Sequence, residues 1–249
     1  MGRLVILSPH PDDAVWSLGG AIGHWQSEGE VLVVSCFDGD AAPAALAQLA
    51  RPEQRWRRFG PAALRRQEDA AALALLDCPL HSLGLNDAAT RLDANGQFEC
   101  VDAAALFLAP DYASWPQPPA AMRAGLQALL RPGDTLIAPL ALGRHVDHCL
   151  VHRLARDSDV PVRYYAEFPY LLALQDTPQN PLAAHCDMLR LVLEEATVPA
   201  DWSRWLAAAG RYRSQVLSMF GSHAALAAQL AHYSGAAQGA AVCRIWSMR

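Results

Sequence analysis

The sequence lacks what would carry it to a membrane, a nucleic acid or a disulfide-stapled scaffold. No stretch approaches the roughly 18 uninterrupted apolar residues of a membrane span. The apolar run Leu4 to Leu7 is far shorter than the roughly 7–15 residues of a signal core. Lysine is absent: all 20 basic residues are arginine, set against 25 acidic ones for a net charge of −5. That balance gives no electrostatic footprint for a nucleic-acid partner, and the local cluster Arg51 to Arg66 reads as a solvated face. The six cysteines, Cys36, Cys78, Cys100, Cys149, Cys186 and Cys243, form no CxxC pair. They fit reduced thiols in a cytoplasmic protein better than a disulfide framework. Gly19, Gly20 and Gly23 miss the dinucleotide fingerprint, because GxGxxG ending at Gly23 needs glycine where Leu18 stands; close packing of helix on sheet explains them better. No internal repeat is present.

What is there begins with LVILSPHPDDAVWSLGG, Leu4 to Gly20. A short apolar run breaks at Pro9 and sets down His10, Asp12 and Asp13 within four residues. Such groups at the lip of an apolar strand carry a desolvation penalty of several kcal/mol unless they share a metal, a hydrogen-bond network or water. Far downstream stands Gly143-Arg144-His145-Val146-Asp147-His148. A catalytic zinc site usually takes three protein ligands and keeps a fourth position open. His10, Asp13 and His148 would supply the three, and Asp12, one position along the same loop, would take a proton from the water. His145, His148 and His152 are spaced three and four apart, near one face of a helix; spacing alone does not choose among them, and it is a match to HxDH over His145 to His148 that leaves His152 outside the site. Asp147 is suited to accept a hydrogen bond from an imidazole and fix its tautomer.

With PHPDD at Pro9 to Asp13 and HVDH at His145 to His148, the chain resembles the LmbE-like, or PIG-L-like, zinc-dependent N-deacetylases. Their signature is a strand followed by (A/P)HPDD and later by HxDH. The resemblance implies His10, Asp13 and His148 as zinc ligands, Asp12 as general base and His145 as charge stabiliser or acid. It also implies that Arg65 of an RxxE pair reaches the substrate, where the plainer reading is an Arg65–Glu68 ion pair on a helix surface. Asp87 after a third strand would accept hydrogen bonds from sugar hydroxyls, or simply form a turn. Two departures are Ala14, where the family commonly has Glu, and Val146, where Pro is frequent. The implied activity is removal of an acetyl or longer acyl group from an N-acylated amino sugar or glycoconjugate. Two imidazoles and a carboxylate suit Zn2+, and also Fe2+, cobalt or nickel. Alternatives from other classes are a metal hydrolase of esters or non-sugar amides and a non-catalytic sugar- or nucleotide-binding module.

For the fold, strand, helix and strand within the first 40 residues make a βαβ unit, hence a parallel sheet with sites at the carboxyl ends of its strands. The expectation is one α/β domain over residues 1–249, Rossmann-like, with a mostly parallel sheet and helices on both faces. Helices are expected over Val15 to Gln26, over Ala62 to Leu76 with Leu64, Ala71 and Leu75 inward, and over Ala121 to Leu130. Strands are expected at Glu30 to Phe37, His81 to Leu85, Thr135 to Pro139 and Arg163 to Phe168, with Tyr165 or Glu167 edging the site. Residues 110–120 form a Pro-rich loop that borders the site, offering Tyr112 and Trp115 to a sugar ring. Thr177 to Pro181 reads as a loop. The largely helical Trp202 to Ala231 contains GRYRSQV in a structural role, and spare apolar helix faces there suit a homo-oligomer.

Overall fold

In the computed structural model, residues 2–57, 60–175 and 181–249 are described; the expected loop Thr177 to Pro181 therefore lies, apart from Pro181, outside the described residues. β1 (Leu4–Ser8), β2 (Val31–Ser35), β3 (Leu80–Ser82), β4 (Thr135–Pro139) and β5 (Val162–Tyr165) pair in parallel. β6 (Leu193–Pro199) and β7 (Val242–Met248) pair antiparallel, and β7 runs antiparallel to β5. The seven strands stand in the order β3-β2-β1-β4-β5-β7-β6. Every residue of β1 and β2 is buried, as expected of β-branched runs covered on both faces. The expected single α/β domain with a mostly parallel sheet flanked by helices is what forms.

Strand order reverses at β1, which has β2 on one side and β4 on the other. In open α/β sheets such a switch point opens a crevice beyond the carboxyl ends of the strands. His10 to Asp13 follow β1 directly. Leu140 to His145 follow β4 and lead into α6 (Val146–Arg156). The two motifs, 135 residues apart in sequence, thus meet because their strands are hydrogen-bonded neighbours.

Several expected elements shift for identifiable reasons. The helix expected over Val15 to Gln26 is two, α1 (Asp13–Leu18) and α2 (Ile22–Gln26), parted at Gly19 and Gly20. A Cβ on Gly20 would lie 2.5 Å from Cε3 of Trp205, and one on Gly19 2.8 Å from its Cδ1. The glycines therefore admit an indole from α9 (Trp202–Ala209), rather than packing a helix onto the sheet. In α4 (Ala62–Leu75), Leu64 and Ala71 face solvent while Glu68, Asp69, Ala72 and Leu73 are buried. The helix is turned by its own carboxylates: Asp69 accepts hydrogen bonds from Ser35 Oγ (2.6 Å) and Tyr212 OH (2.7 Å), and Glu68 from the amide and hydroxyl of Ser214. Those contacts give GRYRSQV its structural role. β3 is shorter and one residue earlier than expected, and β5 ends at Tyr165. Trp115 is 2% exposed and packs, with Tyr112, on the His152 ring. Between α2 and α4 lie a short helix, α3 (Pro43–Leu49), and a 3-10 segment, Pro52–Arg57.

Candidate active site

Ser8, at the end of β1, shapes the first loop: its hydroxyl donates to the His10 carbonyl (2.6 Å) and accepts from the Ala14 amide (3.0 Å). Asp12 is then held at φ 113°, a left-handed conformation that costs a non-glycine residue about 1–3 kcal/mol. Ala141 and Arg144 in the second loop also have positive φ, 60° and 56°. Strain of this kind collects where surrounding structure fixes side chains for a task.

His10, Asp12, Asp13, His145, Asp147 and His148 are all buried. His10 Nδ1 and His148 Nε2 each stand 3.3 Å from Asp13 Oδ2. The far nitrogens of both rings are taken. His10 Nε2 lies 3.1 Å from Asp147 Oδ2, and His148 Nδ1 lies 3.0 Å from Glu167 Oε1. Each carboxylate accepts a hydrogen bond there, so that in the neutral ring the free lone pair belongs to the nitrogen facing Asp13. Donors about 2.0–2.1 Å from a tetrahedral ion are about 3.3 Å apart, and the two separations from Asp13 Oδ2 match that spacing. His145 offers a second combination, since ligand atoms of His10, His145 and His148 all lie within 4.8 Å of one another. His10, Asp87 and Asp147 form another group whose ligand atoms lie within the same reach.

His145 caps α6: its Nδ1 accepts the Asp147 amide at 3.3 Å. The proton of the neutral ring therefore sits on Nε2. Burial, reinforced by the neighbouring His10, lowers His145 to about 4. Burial also pushes Asp12 up to about 8, although the Arg65 guanidinium 3.6 Å away pulls the other way. Burial alone would lower His148; Asp13 and Glu167 outweigh it and raise the ring to about 9. Burial opposes ionisation of Asp13 and Asp147 as well, but their charged partners hold both well below the usual carboxylate range.

Arg65 does not pair with Glu68. Its guanidinium crosses to Asp87 Oδ2 (3.3 Å) and the Pro11 carbonyl (3.4 Å), which puts Arg65 and Asp87 together at the mouth of the cluster. Arg65 Nε is buried with no hydrogen-bond partner. Asp87 also approaches His10 Nε2 at 3.7 Å. His152 stays outside: its Nδ1 donates to the Pro139 carbonyl (2.9 Å) and its ring stacks on Tyr164. Glu167 reaches the site through His148, whereas the Tyr165 hydroxyl donates to the Leu7 carbonyl beneath it. Sequence reasoning missed Arg91, whose Nη1 donates to Asp147 Oδ1 at 2.9 Å, and Phe107, whose ring meets the edge of His145 at 5.6 Å. Neither sits in a motif. Of the two departures, Ala14 is buried beneath the loop, where its amide meets Ser8, and Val146 packs with Ala88, Cys100 and Leu106.

Fold and site together define an α/β domain with a buried His and carboxylate cluster at its switch point, able to hold a metal. The chain belongs to the PIG-L family: residues 5–158 match the family model described as GlcNAc-PI de-N-acetylase. It is 30% identical over 181 residues to 2'-N-acetylparomamine deacetylase of Streptomyces fradiae, a match that takes in 68% of this chain and 58% of that relative. The chain thus spans less than two thirds of that protein's length. Its fold is shared with the zinc inhibited form of teicoplanin deacetylase Orf2 (TM-score 0.71, 21% identity, 98% and 97% of the two chains). It is also shared with A40926 pseudoaglycone deacetylase Dbv21 (TM-score 0.69, 24% identity, 100% and 97%). No helix among the described residues is long and apolar enough to cross a membrane.

Proposed function

We propose that this protein is a metal-dependent hydrolase that removes an acetyl or other acyl group from the amide nitrogen of an N-acylated amino sugar or glycoconjugate. The observation that carries the reading is the convergence of His10 Nδ1 and His148 Nε2 on Asp13 Oδ2, each ring tied by its other nitrogen to a buried carboxylate. Family membership supports it, and the names of the relatives agree in chemistry. His10, Asp13 and His148 would hold the ion, with Zn2+ the expected metal and Fe2+ or another divalent transition metal also suited to the donor set. When bound, such an ion polarises an acyl oxygen and lowers the pKa of a water toward about 7.

Asp12 is the proposed general base, its carboxylate taking the proton of the attacking water and returning it to the departing amine. A group whose pKa burial has moved toward neutrality is suited to both directions of transfer. His145 Nε2–H donates to the oxygen on which negative charge develops, the neutral imidazole acting as a fixed dipole. Arg65 and Asp87 meet the sugar, the unpartnered Arg65 Nε offering a donor already stripped of water. Asp147 and Glu167 keep the two histidine tautomers in place.

The test is acetate release from N-acetylglucosamine and related N-acyl amino sugars, alongside N-acetyl amino acids and aryl acetates. Asp12→Asn should keep the metal and lose about 10²–10⁴ in turnover. Full turnover in a metal-loaded Asp12→Asn protein would remove the assigned base, and preference for the non-sugar amides or esters would remove the substrate class.

A further inference from the structure

The rings of His10, His145 and His148 form a triangle with sides of 5.0, 5.3 and 5.5 Å. Tyr170 adds a fourth ring, set edge-on to His148 with the centroids 5.4 Å apart. Its neighbours fix its place. Glu167, three residues earlier, is bonded to His148, and Phe168 is buried against Trp16, Phe220 and Tyr233. Gly143, in the loop before His145, leaves room for the ring: a Cβ there would lie 2.3 Å from Tyr170 Cδ1 and 2.5 Å from its Cε1. Tyr170 also lines a cleft of about 550 Å3, together with Pro169, Leu172, Ala173, Met219, Phe220 and Gln229. That volume is in the range of small-molecule sites, and all but one of these neighbours are apolar. The ring thus stands between the metal-site cluster and an apolar space large enough for an alkyl chain.

In the tetrahedral intermediate of amide hydrolysis the reacting carbon carries the former carbonyl oxygen, the oxygen of the water, the sugar nitrogen and the acyl chain. Three of these already have a direction. His145 faces the first oxygen, Asp12 the second, and the Arg65–Asp87 pair at the mouth draws the sugar and its nitrogen outward. The acyl chain is left with the His148 side, where Tyr170 stands. We propose that Tyr170 sets the length of the acyl group, its ring closing the site against the cleft so that acetyl fits and longer chains do not. The proposal rests on the deacylase reading of the site.

The test is kcat/KM for N-acylglucosamines from acetyl to hexanoyl in wild type, Tyr170→Phe, Tyr170→Ala and Tyr170→Leu, compared at equal metal content. One methylene too many at a closed wall is worth about 10–200-fold, so wild type should favour acetyl over butyryl by about 100-fold or more. Tyr170→Phe, which keeps the ring, should show the same ratio. Tyr170→Ala should bring the two substrates within about tenfold by admitting the chain to the cleft, and Tyr170→Leu, which keeps apolar cover on His148, should narrow the ratio in the same direction. A merely structural Tyr170 would lower kcat/KM for every chain length alike. Where truncation abolishes turnover, calorimetry of the metal-loaded proteins with acetate and hexanoate decides: hexanoate bound by Tyr170→Leu and not by wild type retains the limit, and equal binding in both overturns it. An unchanged ratio in both truncations, or a wild type that takes hexanoyl as readily as acetyl, would overturn the limit and leave the deacylase standing. A wild type that hydrolyses none of the series would overturn the deacylase reading and the limit with it.

Discussion

Arg91→Gln separates the support of the metal site from the site itself. Asp147 is fully buried and its carboxylate has three partners: Arg91 Nη1 at 2.9 Å, the Ala88 amide at 2.9 Å and His10 Nε2 at 3.1 Å. Arg91 is itself anchored by the Asn86 carbonyl (3.0 Å) and by Glu99 (2.6 Å). Breaking a buried ion pair by removing one partner costs about 3–5 kcal/mol. The Arg91 side chain is 19% exposed, so water reaches it and the lower end, about 3 kcal/mol, is expected. Part of that loss falls on folding and part on His10, whose Nε2–H is aimed by the same carboxylate. Loss of a group supporting a metal ligand typically weakens affinity by about 10–100-fold. Competition against a zinc-binding dye gives the affinity, and urea unfolding of the metal-free proteins gives the stability. Arg91→Lys, which keeps the charge but not the planar fork, should fall between. Zinc affinity within twofold of wild type in Arg91→Gln, with stability lowered as expected, would refute the idea that Asp147 transmits to His10.

His145→Ala should retain the metal and lose about 10²–10³ in turnover, as expected for removal of one oxyanion donor, while Asp13→Asn should lose the metal. The opposite pattern would make His145 the third ligand. His152 is buried, and burial lowers its pKa to about 3. An unfolded histidine near 6.5 takes up a proton that the folded ring refuses, so its neutral form stabilises the fold above about 6.5. That contribution drains away as pH falls toward 3, by about 1.4 kcal/mol per unit. His152→Leu should therefore lose less stability than wild type between pH 7 and pH 4.5, measured by urea unfolding. Equal losses in the two proteins would show that another group governs acid sensitivity.

The site was legible in the sequence where the chemistry is compressed into a few adjacent residues. His10 to Asp13 and His145 to His148 announce themselves because strongly polar side chains break apolar strands, and the βαβ pattern says where such breaks lead. The supporting residues were less visible. Arg91 lies in an irregular segment and reaches Asp147 across 56 positions, a distance no local pattern spans. Glu167 was named only as an edge residue, since nothing near it in sequence reveals the His148 ring. In α4 the apolar spacing pointed to the wrong face, because Glu68 and Asp69 bury themselves to bind Ser35, Tyr212 and Ser214. β6 and β7 passed unnoticed: β6 is mostly exposed, and β7 alternates buried and half-buried residues at the far edge of the sheet. Antiparallel edge strands give a weaker signal than the continuous apolar runs of β1 and β2.

The most direct test is metal content by elemental analysis of protein purified without chelator, with wild type and His148→Ala side by side. The account predicts one divalent ion per chain in the wild type, lost in His148→Ala. No ion in the wild type after zinc is added back would contradict it, and the buried His10, Asp13 and His148 would then be a hydrogen-bonded network without a metal.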